Sequence, residues 1–180
     1  MKTLTLLRHA KSGWDDPVAR DFDRPLNPKG VRAARTMGRH AAGLGLTIDR
    51  MVASPAVRVK ATLESFFEGL GQSFEPVWDR RVYLASAGTL LDVIRETDDS
   101  VTDLMLVGHN PGLEDLVLAL VPDDDSSPLR AEVEKKFPTA TIARMHWDGD
   151  DWSALGLTGT VTLDIFVRPR DVDPKLGPDI

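Results

Sequence analysis

The sequence predicts an α/β domain, and two observations carry the prediction. Short apolar runs alternate with stretches of helical periodicity along the chain, and three of those runs end in a polar or charged group followed by a turn. A length of 180 residues suits one domain, and a hydrophobic share of 42% can build a core without cross-links. We expect one domain over 1–170. The remaining stretch 171–180, with Pro174 and Pro178, reads as an irregular tail.

Residues 4–7 (Leu-Thr-Leu-Leu) form the first predicted strand, which runs into Arg8-His9. A helix opens at Asn27-Pro28, with Asn27 as N-cap and Pro28 at the first helical position. Val31, Ala34, Ala41 and Leu44 recur along it at helical spacing, and Gly45 stops it. Residues 50–53 form a short strand ending at Ser54-Pro55, and Ser54 is placed to cap a helix reaching about Glu68. Ser86 caps a helix carrying Leu90, Leu91, Val93 and Ile94. Residues 103–107 form an apolar strand, after which His109-Asn110-Pro111 turns into a helix bearing Leu113, Leu116, Val117 and Leu120. A small helix over 129–136 and two late strands over 141–147 and 160–167 complete the expectation. No internal repeat or low-complexity linker interrupts it.

Composition excludes several function classes. With no cysteine there is no disulfide scaffold, thiol nucleophile or Cys-based metal site. A net charge of −6 and a pI near 5.2 argue against generic nucleic-acid binding. No segment approaches the ~18 consecutive apolar residues of a membrane span, and the N-terminal residues do not resemble a signal peptide. The expected setting is the cytoplasm, with no nucleic-acid or membrane partner. The acidic runs 98–99, 123–125 and 148–151 read as solvated loops. Against this background a cluster of Arg and His makes a local positive island that draws an anion.

The three segments that end in chemistry share one design. The first delivers Arg8 and His9, the second Ser54 and, one helical turn later, Arg58, and the third His109. If these strands are parallel, the groups collect along one edge of the sheet, where open α/β folds bind ligands. Two Arg and two His suit a phosphoryl group: guanidinium forks pair its oxygens, and a neutral imidazole can attack phosphorus in line. His40 and His146 read as structural. A metal site between His9 and His109 is the weaker alternative, because Arg8 and Arg58 repel a cation.

These motifs also resemble a known family. Leu7-Arg8-His9-Ala10 resembles the Arg-His-Gly signature of the histidine phosphatase superfamily, in the branch that includes phosphoglycerate mutases. The stretch from Ser54 to Thr62 resembles its second arginine motif, and Val107-Gly108-His109-Asn110-Pro111 its second histidine motif. The Arg-His-Ala-Lys-Ser start and the His-Asn-Pro-Gly segment are most similar to SixA-type phosphohistidine phosphatases. The resemblance implies a three-layer α/β/α, phosphoglycerate mutase-like fold with a mainly parallel central sheet. It implies His9 as nucleophile, Arg8 and Arg58 as phosphate clamps, His109 as a further donor, and neither cofactor nor metal. The implied substrate is phosphohistidine on a protein partner. A small phosphate ester is the alternative, and a non-catalytic phosphoprotein binder the reading from another class. Ser54 is expected to cap its helix, with substrate contact as the alternative; Lys60 should face solvent and Thr62 the core.

The chain departs from the pattern at three places. Ala10 stands where the signature has Gly, so the backbone after His9 must tolerate a methyl group. Asp15 stands where mutase-like members carry a phosphate-holding Asn. The stretch 77–83 lacks the expected Glu general acid, leaving Asp79 as the nearest carboxylate. An imidazole leaving group, protonated on its free nitrogen, manages with a weaker acid than an alkoxide does. The missing Glu therefore favours phosphohistidine over sugar phosphates.

Overall fold

The computed structural model describes residues 1–13 and 20–177, so the expectation for Asp15 falls outside the described residues. Six strands form one sheet: β1 (Lys2–Arg8), β2 (Arg50–Ala53), β3 (Val77–Trp78), β4 (Asp103–Gly108), β5 (Ile142–Trp147) and β6 (Val161–Val167). Their spatial order is β3-β2-β4-β1-β5-β6. The four strands from β3 to β1 run parallel, while β5 and β6 add on antiparallel. The sequence reading anticipated all of these except β3, a two-residue strand too short to leave a pattern.

Helices cover both faces, which explains the near-continuous apolar runs of the central strands. Leu4 and Leu6 of β1 pack with Leu104 and Leu106 of β4 beneath α3 (Ala87–Arg95), α4 (Gly112–Leu120) and α5 (Arg130–Lys135). Leu7, Met105 and Val107 point to the opposite face, under α1 (Pro28–Gly43) and α2 (Val57–Leu70). The side-chain period of two along each strand thus feeds two cores. This is the mainly parallel, three-layer α/β/α arrangement expected.

Local chemistry sets several boundaries. The Asn27 side chain accepts from the Gly30 backbone N–H at 2.7 Å and starts α1, and Ser86 accepts from Thr89 N–H at 3.2 Å at the start of α3. α1 and α2 pack closely because glycines face the contact: a Cβ on Gly38 would lie 2.1 Å from the Phe66 carbonyl oxygen. Gly30 does the same for the loop after β1, since its Cβ would meet the Lys11 carbonyl oxygen at 2.1 Å.

Two expectations need correction. The N-cap of α2 is Ala56, with no side-chain cap, and Ser54, two residues upstream, accepts at Oγ from the Ala56 N–H at 3.3 Å rather than from the first turn of the helix. The stretch 171–177 also takes regular structure: α6 (Pro169–Val172) and a 3-10 turn at Pro174–Leu176 bring Leu176, 6% exposed, into the core beside α1. Proline reads as a breaker in sequence but occupies the first turn of both short helices.

Candidate active site

The parallel register places the catalytic candidates at one level. Arg8 pairs with Gly108 and Ala53 with Val107, so the residues that follow, His9, His109 and Ser54, leave the sheet together. His9 N–H donates to Gly108 O at 3.1 Å and Ser54 N–H to Val107 O at 3.0 Å, which fixes the step out of the strands. Arg58 comes from the first turn of α2. Arg8, His9, Arg58 and His109 line one cleft of about 570 Å³ outside the carboxyl ends of the parallel strands.

His9 is 8% exposed and held in one tautomer. Its Nδ1 lies 2.7 Å from Ala10 O, and since a carbonyl only accepts, Nδ1 carries the hydrogen and Nε2 keeps a free lone pair. Burial pushes its pKa down to about 3; the Ala10 hydrogen bond opposes this, while His109, Arg8 and Arg58 reinforce it. At neutral pH the His9 imidazole is therefore uncharged. Ala10 fits without strain because its side chain is fully buried in the α1–α2 core. Its N–H donates to Thr62 Oγ1 at 2.8 Å, and Thr62 donates in turn to Arg58 O at 2.7 Å. Thr62 thus ties the backbone just after His9 to the helix carrying Arg58. Lys60 is exposed, with its ammonium 5.2 Å from the Trp78 ring.

The His109 ring centroid stands 5.2 Å from that of His9. Its Nδ1 receives an Arg58 N–H at 3.3 Å, so the ring hydrogen sits on Nε2 and is donated to Ser54 Oγ at 2.7 Å. Burial and the Arg58 charge push its pKa down to about 3, against the opposing pull of Asp21. Ser54 thus supports His109, a role that differs from both sequence expectations. Arg8 donates to Phe137 O at 2.8 Å, while Nε of Arg8 and Nε of Arg58 are buried with no hydrogen-bond partner among the described residues. Buried charged donors without acceptors are unfavourable by about 1–3 kcal/mol or more.

Asp79 does not join this group. Its carboxylate is held by Arg81 at 2.8 Å, and that hydrogen bonding depresses its pKa despite the opposing effect of burial. Because it sits outside the cleft lining and resists protonation, the expectation that it supplies the acid is corrected.

Among the described residues, the carboxylate that lines the cleft is Asp21, which sequence reasoning passed over. Arg58 donates to its Oδ2 at 2.9 Å and to its backbone oxygen at 2.8 Å. Tyr83 Oη donates to Oδ2 at 2.6 Å and Arg24 to Oδ1 at 2.9 Å. Burial favours the protonated form, yet the hydrogen bonds from Tyr83, Arg24 and Arg58 win and hold Asp21 well below the usual carboxylate range. Tyr83 also packs edge-on against His109, with ring centroids 5.3 Å apart. A signal was available: Asp21 and Arg24 lie three apart between β1 and α1, in the stretch that follows the carboxyl end of a parallel strand, where α/β folds bind ligands.

A sheet edge that gathers two arginines around two neutral histidines suits a phosphoryl group. The profile of the histidine phosphatase superfamily (branch 1) matches residues 4–81, and the chain belongs to that superfamily. An uncharacterised protein of Mycobacterium tuberculosis is 33% identical over 158 residues, spanning 85% of this chain and 97% of its own. Among named relatives, the phosphohistidine phosphatase SixA of Escherichia coli is 26% identical over 79% of this chain and 84% of its own. A solved structure described as a putative SixA from Agrobacterium tumefaciens is 30% identical, covers 93% of this chain and 98% of its own, and superposes with a TM-score of 0.77. Another, from Nakamurella multipartitia, is 29% identical, with a TM-score of 0.79 and coverage of 93% and 96%.

Proposed function

We propose that this chain is a phosphohistidine phosphatase that removes the phosphoryl group from a protein partner through a covalent phospho-His9. The observation that carries the proposal is His9 itself: buried, uncharged, with Nδ1–H tied to Ala10 O and Nε2 free. It faces two guanidinium groups that each keep a buried Nε without an acceptor among the described residues.

In the first half of the reaction the Nε2 lone pair attacks phosphorus. The guanidinium groups of Arg8 and Arg58 stabilise charge on the equatorial oxygens as the bond to the leaving group lengthens. In the second half water attacks phospho-His9, and the electron pair of the P–N bond returns to Nε2. The hydrogen retained on Nδ1 lets His9 depart as a neutral imidazole. His109, held by Ser54, lies beside the transferring group; for it to donate from Nδ1, the incoming phosphoryl charge must raise its proton affinity.

Similarity to SixA proteins supports phosphohistidine as the substrate, and so does the absence of an accessible acid at Asp79. The mouth of the cleft carries Leu84, 54% exposed and in the left-handed region at φ 48. An apolar side chain held there suits contact with a protein surface. The test is turnover of a histidine-phosphorylated protein beside a panel of phosphate esters. The expected result is preference for phosphohistidine, and a fall of at least about 10⁴-fold for His9→Ala. Turnover that survives His9→Ala defeats the covalent mechanism. Preference for the esters transfers the proposal to a small-molecule phosphomonoesterase.

A further inference from the structure

A carboxylate inside a phosphate cleft is an anomaly. Asp21 is ionised and paired to the same guanidinium that must clamp the phosphoryl oxygens. Toward a dianionic ester it contributes only repulsion and competition for Arg58. A structural tether for Arg58 could be made from a neutral acceptor, and the Asp21 backbone oxygen already supplies one at 2.8 Å.

We propose that Asp21 sets the substrate class of this cleft by accepting a hydrogen bond from the ring nitrogen of a phosphorylated imidazole that does not carry phosphorus. The inference rests on the phosphatase reading above and deepens it. His9 is at the buried floor, 8% exposed, whereas the Asp21 side chain is 36% exposed and stands nearer the mouth, where a leaving group must depart. A carboxylate offers about four acceptor positions. Arg58 and Tyr83 occupy those of Oδ2, and Arg24 occupies one on Oδ1. The position on Oδ1 that no described residue fills is the one assigned to the substrate.

The chemistry balances without an added acid. As Nε2 of His9 bonds to phosphorus, the pair in the substrate's P–N bond returns to the substrate nitrogen. The proton already on the other ring nitrogen stays there, shared with Asp21, and a neutral imidazole leaves. Negative charge on Asp21 favours that protonated form of the substrate. The protein applies the same device to its own histidine, where Ala10 O holds the Nδ1 hydrogen of His9 at 2.7 Å. An ester oxygen has no such N–H, and it departs with developing negative charge beside a carboxylate.

The experiment compares kcat/KM for phosphoimidazole and for phenyl phosphate in the wild-type chain, Asp21→Asn, Asp21→Glu and Tyr83→Phe. The expected result is a fall of about 10- to 100-fold in the ratio of the two for Asp21→Asn, the value of one charge-assisted hydrogen bond. Asp21→Glu recovers part of the ratio because it keeps the charge. Tyr83→Phe keeps the preference, because the carboxylate remains although one of its tethers is gone. A purely structural Asp21 gives the opposite pattern: both substrates fall together in Asp21→Asn, and Tyr83→Phe behaves likewise. That pattern overturns this inference while phosphohistidine activity stands. If the wild-type chain hydrolyses phenyl phosphate but not phosphoimidazole, the proposed function falls, and this inference with it.

Discussion

Acidification from pH 7 to pH 5 separates this site from one built on ordinary histidines. Burial is the main cause holding both His9 and His109 down to about 3. In the unfolded chain each returns to roughly 6.5. Between those values the native state binds fewer protons than the unfolded state, so unfolding free energy declines as pH falls. The stabilisation is complete above about pH 6.5 and is lost progressively towards pH 3. Linkage puts the loss by pH 5 at about 2 kcal/mol for each histidine, or about 4 kcal/mol for the pair. For a domain of this size that lowers the melting temperature by on the order of 10 °C.

Activity should respond differently. A nucleophile with a pKa near 6.5 would lose about 25-fold of its reactive form by pH 5, whereas His9 stays neutral and imposes no such loss on kcat/KM. The assays are thermal melts in matched buffers, an NMR titration of the imidazole resonances, and initial rates on the folded protein. A His9 resonance titrating near pH 6.5, or a melting temperature constant between pH 7 and pH 5, refutes the reasoning.

Two further outcomes follow from packing and hydrogen bonding. Ser54→Ala leaves the buried His109 Nε2–H without its acceptor, which should destabilise the fold by about 1–3 kcal/mol and lower kcat by about 10- to 100-fold. Denaturant melts and steady-state rates measure both, and unchanged kcat would remove Ser54 from the support of His109. Gly38→Ala sets a methyl 2.1 Å from the Phe66 carbonyl oxygen, so α1 and α2 must part. A destabilisation of about 1–3 kcal/mol is expected in a urea titration, and no change would mean that the helix contact yields freely.

Much of the fold was legible because its signals are local. The apolar runs of β1 and β4, the Asn27 and Ser86 caps, and the turn after His109 each lie within a few residues of the element they define. The strand β3 and the turns at Asp21–Asp23 and Arg80–Val82 were not legible, since they are too short to carry a period. Of the site, His9, Arg8, Arg58 and His109 could be read because each follows an apolar strand by a fixed short distance. Ser54 was assigned the wrong partner. A serine before a proline reads as a cap, and the imidazole that binds it lies 55 residues away.

By itself the sequence marked the five longer strands and singled out two arginines and two histidines that the fold brings into one cleft. Tertiary structure decided the protonation of those side chains and the company they keep. Burial makes both histidines neutral, and burial depends on two cores assembled from the whole chain. Asp21 reaches Arg58 across 37 residues and Tyr83 across 62, and a local pattern has no means of recording such meetings. Arg8 and His9 are written in two adjacent letters, but Asp21 meets Arg58 and Tyr83 only once the whole chain has folded.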